Sequence, residues 1–144
     1  MLGLLKTAGV SQPCDDCQGS AQTHGYDANG YPSFRTDWNG NRTNFSYSAR
    51  GLQTVRTEGL SAAGVPTPAT RTITTQWHPS FRLPTRISEP GRQTDFSYDA
   101  SGNMLTKTLT DTGSARSRTW AYTYNEHGQM LSLDGPRSDL ADVT

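Results

Sequence analysis

Few side chains in this sequence are suited to chemistry. Cys14-Asp15-Asp16-Cys17 holds both cysteines, and the histidines are His24, His78 and His127. A Cys-x-x-Cys pair is half of a zinc site or a dithiol couple. Zinc needs two further ligands, and only His24 is near in sequence. A redox couple needs a βαβ setting and low thiol pKa values, whereas carboxylates between the sulfurs raise them. An incidental loop or a local disulfide is the plainer reading. His78 precedes Pro79, and His127 sits in Asn125-Glu126-His127-Gly128, so both read as solvated turn residues. Asp27, Asp37, Asp99 and Asp111 each stand a few residues before a glycine. That is turn grammar rather than a catalytic carboxylate pair. Asp37-Trp38-Asn39-Gly40-Asn41 crowds oxygen ligands, but a calcium loop of the EF-hand type wants Gly sixth and Glu twelfth, where Arg42 and Ser48 stand. No serine lies in a Gly-x-Ser-x-Gly elbow. No catalytic residue, metal ligand or cofactor is therefore assigned, and the chain is not read as an enzyme.

The elements that would position such residues are legible from composition and spacing. The chain has 144 residues and no net charge. Mean hydropathy is −0.71. Leu, Ile, Val and Phe together number 21, a thin supply for a core, while Thr reaches 20 and Ser and Gly 14 each. High net charge, the other half of the disorder signature, is missing. No apolar run approaches the length of a membrane span, and Met1-Leu2-Gly3-Leu4-Leu5-Lys6 is too short for a signal peptide. The 11 arginines are scattered among acids, which argues against a nucleic-acid face.

Four segments align with glycine four residues after tyrosine. They are Tyr26-Asp27-Ala28-Asn29-Gly30, Tyr47-Ser48-Ala49-Arg50-Gly51, Tyr98-Asp99-Ala100-Ser101-Gly102 and Tyr124-Asn125-Glu126-His127-Gly128. A degenerate fifth copy, Trp77-His78-Pro79-Ser80-Phe81, keeps the aromatic and puts Phe81 in the glycine place. Acid-to-glycine turns follow most of the aromatics: Asp37 to Gly40, Glu89 to Gly91, Asp111 to Gly113, with short forms Thr57-Glu58-Gly59 and Leu133-Asp134-Gly135. Between turns the sequence alternates. Trp120, Tyr122 and Tyr124 share one face and Thr119, Ala121 and Thr123 the other; Phe96 and Tyr98, Thr43, Phe45 and Tyr47, and Ile73, Thr75 and Trp77 follow suit. Period two with threonine and aromatics predicts half-buried strands. The expectation is an all-β chain of consecutive antiparallel hairpins over 25–144, in about five units. Residues 1–24 are expected to be an irregular arm or a remnant strand. The Pro-containing stretch 59–69 is expected to be an inserted surface loop. The run through Asp142-Val143-Thr144 reads as the start of a further strand.

This pattern resembles the YD repeat of Rhs proteins, most closely in Tyr98-Asp99-Ala100-Ser101-Gly102-Asn103-Met104 with Thr110-Asp111-Thr112-Gly113. Ser48 and Asn125 depart from the aspartate of the motif, and the resemblance spans roughly 25–144. It implies a strip of a spiralling β-sheet shell in a much longer protein. Such shells enclose a C-terminal toxin in polymorphic toxins, often delivered by type VI secretion, from a parent that is secreted or on the cell surface. The implied partners are neighbouring repeats and the enclosed toxin. The structural motif residues are Tyr26, Asp27, Gly30, Tyr47, Gly51, Trp77, Tyr98, Asp99, Gly102, Tyr124 and Gly128. The alternative the family offers is a carbohydrate-binding surface module, with glycans as the partner and ligand residues unassigned.

Overall fold

The structure is a computed structural model, and it describes residues 6–11 and 21–136. Cys14 and Cys17 lie outside that range. Among the described residues there is no helix, so none is long and apolar enough to cross a membrane. Eleven strands follow one another along the chain. They are β1 Gly9–Ser11, β2 Ala21–Tyr26, β3 Pro32–Thr36, β4 Arg42–Tyr47, β5 Gln53–Leu60, β6 Arg71–Trp77, β7 Pro84–Glu89, β8 Arg92–Tyr98, β9 Met104–Asp111, β10 Ser117–Tyr124 and β11 Met130–Asp134. The expected all-β run of antiparallel hairpins is what folds. The segment before residue 25 contributes β1 and most of β2, paired as Gly9 with Thr23 and Val10 with Gln22.

The chain divides into two compact units, Met1–Thr72 and Ile73–Thr144. In the first, β1 to β5 pair antiparallel in chain order. Buried side chains are few: Leu52, Leu60 and Thr36. The Thr36 hydroxyl lies 2.6 Å from that of Thr23 and accepts the Thr23 N–H at 2.9 Å, so a buried polar group is satisfied across the sheet. Arg42 stacks its guanidinium over Phe34 at 3.8 Å. Glu58 takes Arg56 at 2.8 Å and Arg71 at 2.6 Å.

In the second unit β6 to β11 also pair antiparallel in chain order. Register assigns the two faces, because residues directly opposite share a side. Thr94 opposes Leu109 and Leu109 opposes Arg118; Phe96 opposes Lys107 and Lys107 opposes Trp120. That side carries the apolar residues, with Ile73 buried. The other side carries Ser97 with Thr106, Thr108 with Thr119 and Thr123 with Ser132, and each hydroxyl pair bonds at 2.5 to 2.9 Å. The alternation read in the sequence is thus a division between an apolar face and a hydroxyl face. It also accounts for the small core: a strand in a single layer buries one side at most.

Two local readings are corrected. Thr57-Glu58-Gly59 is not a turn. It lies inside β5, and pairing slips there from Asn44–Thr57 to Arg42–Leu60, which makes the site a β-bulge. Gly59 takes φ +70° in it. The connection expected over 59–69 begins after Leu60 instead, and part of it is a closed turn like those of the repeats.

Candidate functional site

The recurring structural feature is a five-residue turn built the same way six times among the described residues. The starting residues are Asp27, Asp37, Ser48, Ser61, Asp99 and Asn125. Each donates its N–H to the carbonyl four residues on, at 2.8 to 3.0 Å, and its own carbonyl accepts from the glycine three residues on. Those glycines, Gly30, Gly40, Gly51, Gly64, Gly102 and Gly128, all have φ between +70° and +87°. This region is open to glycine without the Cβ clash that L residues incur. The side chain of the first residue closes the loop from inside. Asp27 Oδ1 accepts the N–H of Asn29 at 2.9 Å and of Tyr31 at 2.8 Å. Asp99 does the same for Ser101 and Asn103, Asp37 for Asn39 and Asn41, and Asn125 for His127 and Gln129. Ser48 reaches the same donors at 3.3 Å. A side-chain oxygen two or three bonds beyond Cα reaches these N–H groups, hence Asp, Asn or Ser at this place.

Charge follows from this geometry. The Asn41 amide and backbone hold the Asp37 carboxyl below its ordinary value of 3.8. Asn103 does so for Asp99, and the Ser114 and Gly113 N–H groups do so for Asp111. At Asp95 burial works the other way, but the Gln93 amide and the Arg86 guanidinium at 2.5 Å outweigh it and the pKa falls.

Each repeat aromatic sits immediately before its turn, and pairing slips by one residue there. Tyr26 opposes Pro32, Tyr47 opposes Gln53, Trp77 opposes Pro84, Tyr98 opposes Met104 and Tyr124 opposes Met130. The bulge turns the ring toward nearby groups. Tyr47 stacks on Tyr31 with centroids 5.0 Å apart. Tyr98 meets His78 edge-on at 6.4 Å and donates its hydroxyl to the Pro84 carbonyl at 2.8 Å. Tyr26 donates to the Thr7 carbonyl at 3.0 Å beneath the Lys6 ammonium. Burial pushes the phenols of Tyr47 and Tyr98 above their ordinary range.

The degenerate turn is one residue longer. His78 donates its N–H to the Leu83 carbonyl, five residues on, as Asp111 does to Arg116. With the extra residue, nothing at Phe81 needs a positive φ. His78 Nδ1 then accepts the N–H of Ser80 at 3.2 Å and of Phe81 at 3.1 Å, matching Asp111 Oδ1 with Gly113 and Ser114. His78 is a capping acceptor stacked on Phe81 at 4.7 Å, not the solvated residue that sequence reading expects. Two donors on one nitrogen require the neutral ring with its proton on Nε2. Replacing His78 by Ala is expected to destabilise the chain by about 1 kcal/mol, whereas His78→Asp, which supplies an acceptor as at position 111, loses less than half of that. Equilibrium urea unfolding of the two variants checks the ranking.

Ser61-Ala62-Ala63-Gly64-Val65 is the turn that sequence reading misses. The Val65 N–H bonds Ser61 Oγ at 3.1 Å. Leu60 rather than an aromatic precedes it. The remaining signal was the Ser-x-x-Gly spacing alone.

Asp27, Asp37, Asp99 and Asp111 are thus committed to capping, and Glu58, Glu89 and Asp95 to ion pairs. Among the described residues, no three of His, Cys, Asp and Glu gather as ligands for a metal ion.

No protein-family model matches this sequence, and no curated protein does. Solved structures do resemble it in fold. One is a Photorhabdus luminescens Tc holotoxin pore with a mutant TccC3: TM-score 0.68, 16% identity, 85% of this chain and 6% of that chain covered. Another is TcdB2-TccC3-Cdc42, with the same TM-score, identity and coverage. A third is TcdB2-TccC3-TEV, at TM-score 0.69 and 17% identity, again covering 85% of this chain and 6% of that one. The fold of consecutive hairpins is shared with these toxin structures, and the match spans only 6% of their length.

Proposed function

We propose that this chain is a wall strip of a larger Rhs-type shell that encloses a C-terminal effector, and that the strip itself catalyses nothing. The observation that carries this reading is the fold it shares with TccC3-containing toxin complexes, matched along 85% of the chain. The capped hairpins fit such a role. Each turn is closed by its own residues, and strands of the second unit gather apolar side chains on one side of the sheet. The proposed partners are adjoining repeats and an enclosed toxin, in a parent that acts outside the cell that makes it.

The coding sequence on either side of this chain is expected to continue the capped repeats in frame and to lead into a non-repeat domain; flanks with neither overturn the proposal. A second expectation concerns edges. β1 and β11 each pair with a single strand among the described residues. Bare edges recruit other chains, and repeat arrays without caps are poorly soluble. Light scattering of the chain in dilute buffer is expected to show oligomers, and a sharp reversible melt of a monomer would count against it. Saturable saccharide binding by calorimetry would favour the carbohydrate-binding alternative.

A further inference from the structure

The geometry points to a binding site for a phosphate group at one end of the second unit, where the β7–β8 and β9–β10 turns meet. The Thr112 N–H donates to the Gly91 carbonyl at 3.0 Å and ties the two turns together. Between them lies an open hollow of about 630 Å³, lined by Arg92, Asp111, Ser114, Arg116, Ser117 and Arg118 over Leu109. Register places Arg92 opposite Asp111 and Arg118 opposite Leu109, on the same face of the sheet. Arg116 stands two residues before Arg118, which in extended chain is the same side at a separation of roughly 6.6 Å.

Arginine is gathered here. Away from the hollow, Arg56 and Arg71 pair with Glu58 and Arg86 pairs with Asp95, while within it Arg92 pairs with Glu89. Arg116 and Arg118 have no carboxylate partner among the described residues. Asp111 is the acid in the lining, and Glu89, outside it, pairs with Arg92. The Asp111 carboxylate is turned into its own loop, where Oδ1 accepts the N–H groups of Gly113 and Ser114. Two guanidiniums without a carboxylate partner, Arg116 and Arg118, therefore stand beside the Glu89-paired guanidinium of Arg92 and the committed carboxylate of Asp111, with Ser117 next to them. A carboxylate ligand is satisfied by a single guanidinium fork, whereas a phosphate has oxygens enough for several.

The test is an NMR titration of the full chain with sodium phosphate, ionic strength being held constant with sodium chloride. Saturable shifts confined to residues 91–92 and 111–118 are expected, with millimolar affinity. Arg116→Gln/Arg118→Gln is expected to weaken binding by about tenfold or more through loss of charge-assisted bonds. Both arginines are exposed, so the variant's spectrum is expected to keep the dispersion of the parent. Asp111→Asn keeps the capping oxygen but removes the opposing charge, and is expected to tighten binding by roughly threefold. Glycerol phosphate in a parallel titration identifies the source: tighter binding than inorganic phosphate points to a phosphorylated small molecule, and weaker binding to the free ion. Shifts that grow linearly, that chloride reproduces, or that survive the double arginine substitution overturn the site.

Discussion

Replacing Gly59 by Ala should lower the unfolding free energy by about 3 kcal/mol or more, the largest loss expected for a single methyl group in this chain. Two effects coincide at this position. The residue has φ +70°, where an L side chain is strained. An added Cβ would also lie 2.4 Å from the Ala69 carbonyl oxygen and 2.8 Å from its carbon, both backbone atoms. Relief requires moving the loop, and the loop is tied to this same residue. The Gly59 carbonyl accepts the hydroxyl of Thr67 at 2.6 Å and that of Thr70 at 3.0 Å. Gly91 isolates the strain alone, for it has φ +78° and an added methyl there would meet nothing within 4 Å. Gly91→Ala should therefore cost about 1 kcal/mol, the strain without the clash. Urea unfolding of both variants measures the difference. Equal losses would mean that the 61–70 connection yields freely and is not anchored on Gly59.

The second large effect is acid sensitivity. Asp37, Asp95, Asp99 and Asp111 all have carboxyl pKa values depressed in the fold below 3.8. As pH falls, the unfolded chain takes up protons before the folded one does. The stability these groups contribute is thus complete above the unfolded value and drains away as pH drops through the lower folded values. The urea midpoint should be flat near neutrality, begin to fall at roughly pH 5 and decline steeply below about pH 4. A triple variant, Asp37→Asn/Asp99→Asn/Asp111→Asn, keeps a capping oxygen at each turn and removes the titration. Asn125 shows that an amide serves, with its Oδ1 on two N–H groups and its Nδ2 on Gln129 at 2.8 Å. Between about pH 6 and pH 3 the variant should lose much less of its midpoint than the parent does. Parallel decline in both proteins would place the acid-sensitive groups elsewhere.

Legibility from sequence was greatest where one residue type does one local job. Asp27, Asp99 and Asn125 each combine a short acceptor with a glycine three places on, and neighbours four residues away complete the loop. Nothing distant is needed, so the spacing alone discloses the turn. Gly59 shows the opposite case. Thr57-Glu58-Gly59 has the local grammar of a turn, but the pairing of Arg42 with Leu60 makes it part of a strand. That pairing is a long-range fact no window of a few residues contains. His78 was obscure for a chemical reason: imidazole caps a turn only as one of its two neutral tautomers, and sequence does not state which. Faces were readable because period two is strict between bulges. The bulges themselves, one at each repeat aromatic, were not, since a one-residue slip is decided jointly by two strands. The arginine hollow was invisible for a similar reason. Arg92 and Arg118 are far apart along the chain and meet only through the pairing of β8, β9 and β10.

Because each five-residue turn is closed by bonds among its own members, a hairpin can be gained or lost without rewriting its neighbours' turns. Copy number then becomes a heritable variable. Recombination between two similar turns would delete or duplicate whole hairpins while leaving every remaining cap intact, so a lineage could change the length of such a sheet in discrete steps while its local architecture stays the same.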